Sequence, residues 1–109
     1  MTLNELVKEA FETATSKGWH DQERSFGELI ALCHSELSEA LEDYRDGRSP
    51  STEDYNDNGK PIGIPSELAD VVIRIADMCG QYGIDLESAI IEKMRYNTTR
   101  GVRHGGKII

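Results

Sequence analysis

Leu32 to Tyr44 reads LCHSELSEALEDY, and the spacing of its apolar residues decides the fold. Leu29, Leu32, Cys33, Leu37, Ala40, Leu41 and Tyr44 recur at intervals that put them on one apolar face of a helix. Glu36 falls inside that face, one turn after Leu32 and one turn before Ala40, and Glu39 stands at its edge. A carboxylate buried without a partner is costly, so the pattern demands something that compensates these two acids.

Working outward, Ser25 and Glu28 form a capping box and Gly47 a natural stop, which predicts helix two over residues 26–45. Upstream, Thr2 and Glu5 form another capping box. Leu3, Leu6, Val7, Ala10, Phe11 and Ala14 then make one buried stripe, a helix one over 3–17 that ends at Gly18. Downstream, Gly47 to Gly63 (GRSPSTEDYNDNGKPIG) is a long loop of turn formers. Its DYNDNG core matches half of a calcium loop, but Lys60 stands at position seven and Pro65 replaces the bidentate Glu at position twelve, so calcium is rejected.

Helix three starts near Pro65 or Ser66 and ends before Gly83. It is apolar around most of its circumference, broken only by Glu67, Asp70, Arg74 and Asp77 on one narrow stripe. So little polar surface predicts burial on several sides and a subunit interface. Helix four starts at the N-cap Asp85 and runs to about Arg100, with Leu86, Ala89, Ile90 and Met94 facing inward. No stretch alternates like a strand. The expectation is an all-α four-helix bundle, a single domain over residues 1–109, with a long loop between helices two and three and a flexible tail at 101–109.

Composition narrows the function. A chain of 109 residues has a modest core and often gains burial by oligomerising. There is no apolar run of membrane-spanning length and no signal-peptide pattern, so no membrane partner and a cytoplasmic location are expected. A net charge of −8 argues against nucleic acid. Five of the 12 basic residues (Lys93, Arg95, Arg100, Arg103 and Lys107) lie between positions 93 and 109, where there is no acid. This basic end is either a cationic clamp for an anion or a solvated tail. Cys33 and Cys79 sit among apolar residues and read as reduced core thiols.

The acids form a constellation. Glu36 and Glu39 are three apart on helix two, and Glu67 and Asp70 are three apart on helix three, so each pair shares a helix face. If the two helices are antiparallel neighbours, four carboxylates converge and repel one another unless divalent cations intervene. Oxygen-only ligands suit Mg²⁺ or Mn²⁺. The competing reading is solvated surface charge, which fits Asp43 and Asp77 better than a ligand role.

The pattern E-x-x-E, a loop, then E-x-x-D, read here in SELSEALEDY and SELADVVIRIADM, resembles the MazG-type all-α nucleoside triphosphate pyrophosphohydrolases. The similarity extends into GIDLESAIIEKMRYNTTRG, with its K-x-x-x-N-x-x-R pattern. The resemblance implies that Glu36, Glu39, Glu67 and Asp70 hold Mg²⁺ and that Lys93, Asn97 and Arg100 contact the triphosphate. Pyrophosphate release needs a water to attack the α-phosphorus, and Glu36 and Glu39 are the carboxylates expected both to bind metal and to orient that water. Many members carry a further Glu where this chain has Ser35, so no carboxylate base stands at that place. Lys93, Asn97 and Arg100 share one face of helix four, and Lys and Arg suit phosphate oxygens.

The function expected is Mg²⁺-dependent cleavage of a deoxy or non-canonical nucleoside triphosphate to monophosphate and pyrophosphate, by a homodimer or homotetramer. The alternatives are a phosphoribosyl-ATP pyrophosphohydrolase-like enzyme and a non-catalytic oligomeric regulatory module. Trp19, the single tryptophan, either stacks on a nucleobase or anchors helices one and two. His34 points away from the acids, and His20 and His104 carry no spacing signal.

Overall fold

The computed structural model describes residues 1–109, except that the side chain of His104 lies outside the described part. Four helices carry the chain: α1 (Leu3–Ser16), α2 (Phe26–Arg45), α3 (Ile64–Tyr82) and α4 (Leu86–Thr98). A single turn, α5 (Arg103–Gly106), follows within the basic end. Both capping boxes form, Thr2 with Glu5 at α1 and Ser25 with Glu28 at α2. Asp85 caps α4 by accepting from the Ser88 backbone N–H at 3.1 Å, and Gly83 ends α3 in the left-handed region.

The loop between α2 and α3 holds a feature that the alternation test does not reveal. Two-residue strands, β1 (Asp54–Tyr55) and β2 (Pro61–Ile62), pair antiparallel, with Asp54 opposite Ile62. Strands so short leave no period to detect. The turn is legible in its chemistry: Asn56 Oδ1 accepts from the Asn58 and Lys60 N–H groups, and Gly59 takes a positive φ of 78°. Arg48 joins the hairpin to the end of α2, 3.8 Å from Asp43 and 3.7 Å from Asp54.

α3 is the central element and packs against both α1 and α2. Gly80 lets α1 approach it, because a Cβ there would lie 2.6 Å from Phe11 Cβ. α4 leans chiefly on α1, joined near the two helix starts by Asn4 Nδ2 donating to Glu87 Oε2 at 3.0 Å. No residue of α4 is buried, and Met94, expected to face inward, is 63% exposed. Among the described residues the core is Ala10, Ala40, Ile64, Val71, Ala76, Met78 and Cys79. The radius of gyration, 16.4 Å, exceeds the ~13 Å typical of a compact domain near this size. The four expected helices therefore form a three-helix layer with α4 splayed from it. Leu37, Leu41 and Tyr44 on α2 and Leu68, Val72 and Ile73 on α3 stay exposed. No helix is long and apolar enough to cross a membrane.

Candidate functional site

α2 and α3 lie side by side, so their acid pairs meet. One carboxylate oxygen each from Glu36, Glu67 and Asp70 lie within 4.8 Å of one another. Glu39 stands outside that group but is close enough to Glu67 to raise its carboxyl. Glu67 Oε2 is buried with no hydrogen-bond partner. Burial, then the nearby Glu39 carboxyl and the charges of Asp70 and Glu36, push the Glu67 carboxyl up to about 7. Burial and Glu36 also raise Asp70, against the opposing pull of Arg74 and Lys60. A buried acceptor without a donor beside like charges is what a hard divalent cation would satisfy, and an all-oxygen donor set suits Mg²⁺ or Mn²⁺.

Two cations act on this cluster, Arg74 from the polar stripe of α3 and Lys60 from the loop. Arg74 Nε donates to Glu36 Oε1 at 2.7 Å, across 38 positions of sequence. Lys60, brought by the hairpin, is near enough to Asp70 for its charge to lower the carboxyl. Lys93, Asn97 and Arg100 are not brought to the acids by this chain's own packing, since α4 leans on α1. Lys93 and Arg100 lie 5.5 and 5.7 Å from the Tyr96 ring instead.

A cavity of about 470 Å³ opens beside the acids, between α1, α2 and α3. Glu36, Asp70 and Arg74 line it, and so do Trp19, His20, Arg24, Asp77 and Gln81. Trp19 is half exposed, with the Arg24 guanidinium 5.8 Å from its ring. His20 Nε2 donates to Asp77 Oδ1 at 2.8 Å, Gln81 Nε2 donates to Asp77 Oδ2 at 3.2 Å, and Phe11 stacks on His20 at 5.2 Å. Asp77 is thus neither a ligand of the acid cluster nor a free surface charge. The signal for it was its place on the α3 stripe, and its partner lies 57 positions away. Cys33 and Cys79 are free thiols, both pushed up by burial. No protein family, curated protein or solved structure matches the chain.

Proposed function

We propose that the protein is a Mg²⁺-dependent nucleoside triphosphate pyrophosphohydrolase, with Mn²⁺ as an alternative ion. The observation that carries this reading is the meeting of carboxylate oxygens of Glu36, Glu67 and Asp70 within 4.8 Å, together with a buried and unpartnered Oε2 on Glu67. These three residues would hold the cation. When bound, it would supply charge neutralisation for the phosphates and a lowered pKa for an attacking water. Glu39, beside Glu67 and outside the three ligands, is the carboxylate left to orient that water and accept its proton. Water oxygen bonds to the α-phosphorus as the bond to the β-phosphate bridging oxygen breaks, releasing a nucleoside monophosphate and pyrophosphate. The cavity adjoining Glu36 and Asp70 is large enough for a nucleoside, with Trp19 at its wall.

The exposed apolar faces of α2 and α3 and the splayed α4 support assembly as a homodimer or homotetramer. In such an assembly Lys93, Asn97 and Arg100 of α4 would have a second route to the phosphates. Light scattering at micromolar concentration tests this, and a stable, active monomer would exclude it.

The decisive experiment incubates the protein with Mg²⁺ and a panel of canonical, deoxy and modified triphosphates plus phosphoribosyl-ATP, scoring pyrophosphate and phosphate separately. Pyrophosphate from a nucleoside triphosphate is the expected result. Release from phosphoribosyl-ATP alone would transfer the reading to that relative. No release from any substrate, with Mg²⁺ bound, would favour a regulatory module.

A further inference from the structure

We infer that Arg74 is a substrate-phosphate ligand, held against Glu36 until a divalent cation takes that carboxylate. The inference rests on the metal site proposed above and adds a residue that the motifs do not contain. Arg74 sits on α3 one turn beyond Asp70, and the two residues line the same cavity. Its bond to Glu36, 2.7 Å from Nε, is the one hydrogen bond from its side chain to the protein among the described residues. A guanidinium carries five N–H donors, so four remain for another acceptor. The pair is lopsided in exposure: Glu36 is 12% exposed and Arg74 33%. The carboxylate is fixed in the wall, and the guanidinium is the partner with room to turn.

The chemistry of exchange follows from charge. Without a cation, Glu36 faces Glu67 and Asp70, and Arg74 is the positive charge that compensates it. A divalent cation bound to the same carboxylates removes that need and repels the guanidinium. The released fork then points into a cavity whose acid end would receive a phosphate chain, and paired N–H donors match phosphate oxygens. One residue thus stabilises the empty site and then grips the substrate. Binding the cation is coupled to exposing the anion ligand.

The coupling makes opposite predictions for two ligands, which a purely structural ion pair does not. Calorimetry would measure Mg²⁺ binding to the nucleotide-free protein, then binding of inorganic tripolyphosphate and of a non-hydrolysable triphosphate analogue with Mg²⁺ present. Arg74→Ala should bind Mg²⁺ several-fold more tightly, because its competitor for Glu36 is gone. It should bind both polyphosphates at least tenfold more weakly. Arg74→Lys keeps the charge without the fork, so Mg²⁺ affinity should stay near wild type while polyphosphate affinity falls several-fold. It also serves as the test if the alanine variant does not fold. Unchanged polyphosphate binding in these variants, or Mg²⁺ and polyphosphate affinities that fall together, would overturn the inference and leave the metal site standing. Wild-type protein that takes up neither Mg²⁺ nor Mn²⁺ would overturn both.

Discussion

Asp70 and Asp77 stand two turns apart on α3 and line the same cavity, yet they live in opposite surroundings. Asp77 is answered on both oxygens, by His20 at 2.8 Å and Gln81 at 3.2 Å, with Phe11 packed against the imidazole. Asp70 faces Glu36 and Glu67, and its pKa is raised despite Arg74 and Lys60. The same side chain is therefore satisfied structure at one end of the helix and unsatisfied chemistry at the other. Neighbours distinguish them, since residue type and helical position do not. A cluster whose charges are mutually unfavourable without a ligand is poised to gain from one, and a closed network is not.

The sharpest break of this contrast is by isosteric neutralisation at each end. Glu67→Gln, Asp70→Asn and Glu39→Gln should each remove turnover by more than the ~10–100-fold typical of losing an outer-shell metal partner. Glu67→Gln and Asp70→Asn should also lose Mg²⁺ uptake. Melted without metal, those two should be no less stable than wild type, because each loses an unfavourable charge. Near-native rates with Mg²⁺ in any of the three would end the catalytic assignment.

At the packed end the expected losses are in stability. Gly80→Ala places a Cβ 2.6 Å from Phe11 Cβ and should cost about 1–3 kcal/mol through overpacking, seen as an earlier denaturant midpoint. Asp77→Asn leaves His20 with a weaker acceptor in a partly exposed pair, so about 1 kcal/mol is expected. Mg²⁺ affinity should be retained in both. Loss of metal binding in Asp77→Asn would show that the two ends of α3 are one site.

The same contrast explains what was legible in the sequence. Helix limits were readable because caps are local: Thr2 with Glu5 and Ser25 with Glu28 each span three positions. The acid pairs were readable because an i, i+3 spacing fixes a face, and two such faces suffice to suggest a cluster. The partners that decide what each acid does were not readable. Arg74 reaches Glu36 across 38 positions and His20 reaches Asp77 across 57, and only the packing of α1 and α2 on α3 creates those distances. The inward face expected for α4 failed to bury for a related reason. Its apolar spacing is real, but in this chain α4 meets little beyond α1. The hairpin that carries Lys60 was hidden by its length, two residues per strand.

The smallest expected effect is one of pH, and its sign separates the two ends again. Glu67 titrates at about 7 in the folded protein against an ordinary value of 4.5. Between those values the folded state holds a proton that the unfolded chain has released. The contribution to stability is therefore complete below about 4.5 and is lost as pH rises through about 7. Asp70, also raised, contributes with the same sign. Metal-free wild type should lose melting temperature between pH 5 and 8 relative to Glu67→Gln, which has no proton to lose at that position. The cation requires the ionised carboxylate, so Mg²⁺ binding at pH 6 should expel a proton, and it should expel progressively less as pH approaches 8. Calorimetry at each pH in two buffers of different ionisation enthalpy reads that proton directly. Identical binding enthalpies in both buffers at pH 6 would mean that Glu67 is already ionised there, and that the closeness of the four acids is relieved by something other than a shared proton.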